Sequence, residues 1–379
     1  MTTVHQPASH AARRSFLKNS ALALAASSFP AIHFAQAAPL PARQFKPEPG
    51  GWRTFDVTTR VDIVKPQGVT RVWLPIPSVN SDWQQSLVSG FSSNGKTQMA
   101  DDDQHGARML FVEFAADQAL PFVELTSRIQ TRNRAVDWSK RQIATVDAAT
   151  LNYWTQPTQL VPVDGIVRKT AQEAIRGANT DVQKAQKLYD WIVANTYREP
   201  KVRGCGEGDI KTMLETGNLG GKCADLNALF VGLCRSVGLP ARDVYGLRVA
   251  PSAFGYKELG GNSASLKGAQ HCRAEVYLKA HGWVGMDPAD VAKVMRQETP
   301  EWIKSSSHAL VAPVNKALFG GWEGNWMAYN TAHDVSLPHA KSPRLGFFMY
   351  PTAENATGRL DSYAPDDFKY QISAKEISA

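Results

Sequence analysis

Long apolar runs, paired metal-binding cysteines, basic clusters interleaved with aromatics and internal repeats are all missing from this 379-residue sequence. Its most apolar N-terminal stretch is broken by Ser27, Ser28 and Pro30. It falls short of the roughly 20 residues that a spanning helix requires, which excludes stable membrane insertion there. Without a Lys/Arg cluster set among aromatics, nucleic acid is excluded as a partner. The four cysteines form no CxxC and no HxxxH accompanies them, so a zinc site built from Cys205, Cys223, Cys272 and His271 lacks the usual ligand spacing. Four cysteines in a chain this long do not make a disulfide scaffold either. The run Asp101-Asp102-Asp103 lacks the glycine and spaced ligands of a calcium loop and reads as a solvated turn. What remains, 43% hydrophobic residues with mixed charge, describes an ordinary globular chain with room for two or three domains.

The N-terminus carries a signal of its own. Arg13 and Arg14 precede Phe16, Leu17 and Lys18, then a weakly apolar run, then Ala35-Gln36-Ala37 as a small-residue cleavage site. Residues 1–37 therefore read as a twin-arginine export signal cleaved near Ala37, which predicts a periplasmic protein. Its removal takes three basic residues and no acid, so the formal net charge falls from +7 to +4 and says little about partners. A protein exported by this route folds first in the reducing cytoplasm, which favours free thiols.

Residues 50–140 alternate polar and apolar positions in short segments such as TFDVTTRVDIV and FVELTSRIQTR, separated by turn residues, and predict an N-terminal β-sandwich domain. From about residue 160 the period becomes helical. DGIVRKTAQEAIRGA and DVQKAQKLYDWIVANTY each open on an aspartate suited to capping a helix, and a glycine-rich loop around Cys205 follows. Residues 220–242, GGKCADLNALFVGLCRSVGLPAR, read as a glycine turn, then a cysteine, then an apolar helix closed by Gly238, Pro240 and Arg242, after which DVYGLRVA, HCRAEVYL and WVGMD read as strands. Helices followed by antiparallel strands make residues 160–291 an α+β core. Residues 292–379 are expected to supply strands that complete its sheet.

Cys223 opens that helix. Leu226, Leu229, Phe230, Leu233 and Val237 form one apolar stripe with Cys223 at its edge. At a helix start, unpaired N–H groups and the dipole favour a thiolate, whereas Cys234 stands mid-helix and reads as packing. On the strand beginning at His271, residues 271, 273, 275 and 277 share a polar face and 272, 274, 276 and 278 an apolar one. The hairpin return through Lys279-Ala280-His281-Gly282 brings Asp287 back beside His271. A thiol, an imidazole and a carboxylate so arranged suit acyl transfer through a thioester, with the Cys223 N–H as one oxyanion donor. Tyr197 and Trp191 precede the cysteine and read as core rather than as the second donor.

The segment Gly221-Lys222-Cys223-Ala224-Asp225 with Leu229-Phe230, Leu233, Arg235, Gly238 and Pro240-Ala241-Arg242, then His271 with Glu275-Val276-Tyr277, then Gly282-Trp283-Val284 and Asp287-Pro288, resembles the transglutaminase-like superfamily. The resemblance covers roughly residues 165–290 and implies a papain-like α+β core, with Cys223 as nucleophile, His271 as base and acid, and Asp287 as the orienting carboxylate. It implies no cofactor. Arg273 departs from the family pattern, which usually has an aromatic two residues after the histidine. It is expected to pair with Glu275 or Asp225, or to meet a substrate carboxylate. Cys205 and Cys272 are open to a disulfide, a redox role or burial, with burial favoured for Cys272.

Together these features imply an exported thiol hydrolase acting on amide bonds of a protein or peptide substrate. Cross-linking through the same thioester, and a non-enzymatic binding module on the same fold, are the alternatives.

Overall fold

In this computed structural model the described residues are 43–378, apart from 65, 103, 105, 142–145 and 365–367. The export signal expected over residues 1–37 lies outside them, as does Asp103. Six strands come first: β1 (Arg53–Asp62), β2 (Thr70–Pro75), β3 (Gln84–Ser93), β4 (Lys96–Asp101), β5 (Arg108–Phe114) and β6 (Phe122–Thr131), with the two-residue β7 (Arg134–Ala135) after them. Helices α1 (Ala148–Tyr153), α2 (Gly165–Ala174) and α3 (Asp181–Asn195) lead through β8 (Tyr197–Arg198), α4 (Ile210–Thr216) and β9 (Gly220–Gly221) to α5 (Cys223–Ser236). Then come β10 (Ala241–Arg248), β11 (Gln270–Leu278), β12 (Gly282–Met286), α6 (Pro288–Gln297) and α7 (Ala312–Ala317). The chain ends with β13 (Gly321–Trp322), β14 (Trp326–Asn330), β15 (His333–Val335), β16 (Leu345–Phe347), β17 (Thr352–Asn355), β18 (Gly358–Arg359) and β19 (Lys369–Ser378).

The early strands divide between two sheets, ordered β19-β1-β6-β3 and β18-β17-β2-β5-β4. Period-2 alternation puts Phe55, Val57 and Val61 of β1 on the same face as Val123, Leu125 and Ile129 of β6. That face shares a core with Val72, Leu74, Leu110 and Val112 of the second sheet. The opposite side of β2 and β5 is also covered, because Trp73, Met109 and Phe111 pack with Ala332, Val335 and Phe348. Strands buried on both faces read as continuous apolar runs, as TRVWLP does. Asp102 is buried rather than solvated, and its carboxylate holds the turn by accepting from the N–H groups of Gln104 and Ala107 at 2.9 and 2.8 Å.

The central sheet is antiparallel in the order β12-β11-β10-β14. The expectation that residues 292–379 complete it holds for β14, which pairs with β10, and requires correction for the later strands. β17 pairs with β2 and β19 with β1, so these C-terminal segments return to the sheets of the first strands. Nor is the early segment separate: residues 42–379 form one compact unit, tied by pairing of β7 with β13 and by Gln84, whose side chain bonds both the N–H and the carbonyl of Ala328.

Helix α5 is buried on every side and not along one stripe, since it lies between the central sheet and α2, α3, α4 and α6. Its polar side chains each find an internal partner. Asn227 donates to the Cys272 carbonyl at 2.8 Å and Arg235 to that of Ala241 at 2.8 Å. Of the two expected capping aspartates, Asp164 occupies its position without a side-chain bond, and α3 is capped by Thr180 in a reciprocal pair with Gln183.

The polar face of β11 is buried too. Glu275 bridges Arg242 and Arg134, and Arg134 lies over the rings of Trp83 and Trp322. Burial pushes the Glu275 carboxyl up, but the two arginine charges outweigh it and hold it near about 2. A depressed carboxyl stabilises the fold above its unfolded value near about 4.3 and loses that contribution as the pH falls through its folded value. Glu275→Gln is therefore expected to cost about 3 kcal/mol at neutral pH, read by urea unfolding. The gap between variant and wild type should narrow from about pH 4 downward.

Candidate active site

The start of α5 is set by two short segments. β8 pairs in parallel with β9, placing Arg198 beside Gly221, two residues ahead of Cys223. The glycine-rich loop docks on the helix start through Asp225, whose carboxylate accepts from the N–H groups of Glu207, Gly208 and Lys222 at 3.0, 2.9 and 2.8 Å. Gly206 lies so close that a Cβ there would stand 1.8 Å from Asp225 Oδ2, with φ at +88° besides. This docking brings the Cys205 carbonyl onto the Ala224 N–H at 2.9 Å. As the first helical residue, Cys223 keeps an N–H with no intrahelical acceptor.

His271 and Asp287 come from the sheet. The ladder between β11 and β12 runs to Ala274↔Met286, so Asp287 emerges beside the start of β11. His271 Nε2 lies 2.7 Å from Asp287 Oδ2, and the indole N–H of Trp326 on β14 holds the His271 carbonyl at 3.0 Å. Asp287 also caps α6, accepting from the Asp290 N–H at 3.1 Å, and receives the Asn227 amide at 3.2 Å. Cys223 and His271 line one cavity of about 400 Å³.

A second carboxylate, unanticipated in the sequence, stands at the imidazole. Asp290 Oδ2 is 3.3 Å from His271 Nε2, and its Oδ1 accepts from Arg248 Nη2 at 2.6 Å. The sequence signal is there in Asp287-Pro288-Ala289-Asp290: an N-cap aspartate followed by proline returns the third helical residue to the cap. Burial pushes both carboxyls up. The Arg248 charge overcomes this at Asp290, which lies well below the ordinary range, while the charge of Asp290 helps raise Asp287.

These charges set the other two groups. Burial and Arg248 would lower the imidazole of His271, but Asp290 and Asp287 raise it to about 9. Burial would raise the Cys223 thiol, yet hydrogen bonds from Cys205, Cys272 and His271 and the His271 charge bring it well below its usual range. Cys234, fully buried with no such partners, is pushed up.

Arg273 takes neither expected partner. It runs behind Asp287, with Nε 3.5 Å from Oδ2, between the rings of Trp322 and Trp326. Glu275 is occupied by the other arginines and Asp225 by backbone. Cys205 and Cys272 are free, buried thiols; Cys205 accepts from the Tyr350 hydroxyl at 3.1 Å and Cys272 lies 3.9 Å from the sulfur of Met349. Trp191 is only partly buried, and Tyr197 packs its ring against Trp302. His271, Asp287 and Asp290 could offer three ligand atoms to a metal, all within 4.8 Å of one another. Arg248 and Arg273 already supply positive charge against these carboxylates.

Residues 168–288, which span α5, β10, β11 and β12, match the model of the transglutaminase-like superfamily. An uncharacterized protein of Haemophilus influenzae is 33% identical over 351 residues, covering 85% of this chain and 91% of that one. The chain belongs to the transglutaminase-like superfamily. The fold is similar to that of a candidate cysteine protease of Cytophaga hutchinsonii, at 13% identity and a TM-score of 0.51 over 88% of this chain and 93% of the other. The periplasmic domain of TgpA from Pseudomonas aeruginosa is similar over 68% of this chain and 91% of its own, at 17% identity and a TM-score of 0.34. No helix among the described residues is long and apolar enough to cross a membrane.

Proposed function

We propose that this protein is an exported thiol hydrolase of amide bonds in peptides or proteins, working through Cys223, His271 and Asp287. The observation that carries the reading is the opposed displacement of two groups lining one cavity, a thiol brought below its ordinary range and an imidazole raised to about 9. A thiol so lowered beside an imidazole so raised makes the pair thiolate and imidazolium at neutral pH, the nucleophile and general acid that amide cleavage needs.

Asp287 on Nε2 leaves Nδ1 to exchange protons. The thiolate attacks the amide carbon, and the N–H of Cys223 at the helix start steadies the developing oxyanion. The imidazolium protonates the leaving nitrogen as the C–N bond breaks, which leaves a thioester and a neutral imidazole. Water then attacks the thioester carbon, the imidazole takes its proton, and the C–S bond breaks to release a carboxylic acid and restore the ion pair. The reading includes the twin-arginine signal over residues 1–37, a periplasmic location, and a β-sandwich formed by the sheets of β1 and β2 beside a papain-like core.

Hydrolysis releases a new amino terminus from a peptide. Transfer instead releases ammonia from glutamine and incorporates an added amine, and product analysis separates the two. Activity should follow a bell in pH, with the acid limb set by thiolate protonation and the alkaline limb near about 9, where His271 loses its proton. Iodoacetamide should label Cys223 well below the pH at which a free thiol reacts. Labelling that instead follows an ordinary cysteine, with neither product formed, would sink the reading.

A further inference from the structure

Around Cys223 the cavity carries an excess of positive charge that the chemistry above does not use. Its lining includes Arg198, Lys222, Arg248, Lys267 and Lys293 and not one aspartate or glutamate. Two of these cations are neutralised inside the protein. Arg248 is held by Asp290, while Lys293 lies 3.3 Å from Glu258 Oε2 and donates to the Glu258 carbonyl. Arg198, Lys222 and Lys267 have no carboxylate partner among the described residues. Arg198 bonds only the neutral side chain of Gln297, at 3.0 Å, and Lys267 rests over the Tyr370 ring at the rim.

The fold places these cations together. Pairing of β8 with β9 lays Arg198 alongside the residues that precede Cys223, and Lys222 is the next residue before the cysteine. Lys293 reaches the same wall from α6, one turn after Asp290. Burial and the charge of Arg198 lower the ammonium of Lys222 against the raising charges of Cys205, Cys223 and Asp225, and burial with the charges of Arg248 and Arg198 lowers that of Lys293 against Asp290 and Glu258. Gln270 adds a neutral donor: it is 5% exposed, and its side chain is turned toward the Tyr370 hydroxyl on the same cavity wall. The thiolate of Cys223 is shared between the imidazolium of His271 and the cations of Lys222 and Arg248. Cations that outnumber the anions around them, with Lys267 exposed at the rim, favour the arrival of a further anion.

We propose that Arg198, Lys222 and Lys267 form an anion subsite beside Cys223 that selects substrates bearing a carboxylate close to the scissile amide. This rests on the function proposed above for the same cavity. The carboxylate can belong to an acidic side chain on the acyl side or to the free terminus of the leaving residue. Both present the same charge and the same paired oxygens to the guanidinium of Arg198 and the ammonium of Lys222.

The test uses two alkylating probes of nearly equal size, anionic iodoacetate and neutral iodoacetamide, on the full chain, with Cys223 followed by peptide mass mapping. At low salt the iodoacetate-to-iodoacetamide rate ratio at Cys223 is expected to exceed that of glutathione by about tenfold, equivalent to about 1.4 kcal/mol. It should fall toward the glutathione ratio in high salt and in the Arg198→Gln/Lys222→Gln double variant. Because both probes report the same thiolate, a mere effect of the cations on thiol ionisation moves both rates and leaves the ratio alone. A wild-type ratio equal to that of glutathione, or one untouched by the double variant, overturns the proposal even if Cys223 proves hyper-reactive. A raised ratio without any peptide cleavage keeps the subsite and rejects the hydrolase. Two peptide arms then identify the source: an acidic acyl residue with an amidated terminus, and a neutral acyl residue with a free one. The double variant should raise KM about tenfold for the favoured arm relative to a fully neutral peptide. If neither charged peptide is favoured by the cleaving wild-type enzyme, the assignment to substrate selection fails.

Discussion

Cys223→Ala is expected to reduce amide cleavage by at least about 10⁴-fold while the melting curve stays close to that of the wild type. Two other thiols stand near enough to raise the question of substitution. Cys205, through its bond to Cys223 and through burial, and Cys272, chiefly through burial, are both displaced upward, so at neutral pH each remains a protonated and poor nucleophile. Cys223→Ser should recover little, because a hydroxyl cannot share the imidazolium ion pair as a thiolate does. Stability is insensitive for a different reason. Removing one sulfur from the cavity wall deletes little apolar burial, and His271 keeps Asp287 and Asp290. A change within about 1 kcal/mol is expected, in keeping with functional sites that trade stability for reactivity. The check is single-turnover kinetics with intact-mass detection of the thioester, beside thermal melts. Residual turnover within tenfold of the wild type would mean that another group attacks the substrate.

How far the sequence could be read depended on the distance over which each signal acts. The helix of Cys223, the strand of His271 and the hairpin to Asp287 are written in local periodicity and turn residues, and each occupies its expected place. The partners of β17 and β19 were not legible, because strand pairing is chosen by packing across the whole chain and no local pattern names the neighbour. The burial of α5 on all sides was hidden by its polar residues. Asp225, Asn227 and Arg235 look like a solvated face until their internal acceptors and donors are known. Arg273 misled in a related way: a cation on a polar strand face suggested an acidic neighbour on that strand, whereas it packs between two tryptophans from beyond residue 320.

The site is held by a charge chain longer than three residues. Arg248 fixes Asp290, Asp290 and Asp287 share the Nε2 edge of His271, and Arg273 stands behind Asp287. Such a chain keeps one anion permanent while the other serves the imidazole. It also explains how an almost fully buried group can stay cationic, since burial alone would favour the neutral ring.

Asp290→Asn tests that chain and is expected to lower kcat/KM by about a hundredfold, with a change in pH dependence that a structural residue would not produce. Asp290 is the strongest of the charges that raise His271, so its loss leaves burial and Arg248 acting against Asp287 alone. The imidazolium should then lose its proton at lower pH, and the alkaline limb should move from about 9 toward neutrality. The same change strands Arg248, whose side chain is 3% exposed, at an expected cost of about 3 kcal/mol in unfolding free energy. The two effects separate in the double variant Asp290→Asn/Arg248→Met. Removing the stranded charge should restore much of the stability, and because Arg248 itself lowers the imidazole, it should also shift the limb part of the way back. Asp287→Asn leaves the anion of Asp290 in place and should shift the limb in the same direction, since it removes both a charge and a hydrogen bond at Nε2. An alkaline limb unmoved in Asp290→Asn, with only the amount of folded protein reduced, would confine Asp290 to scaffolding and leave His271 dependent on Asp287 alone.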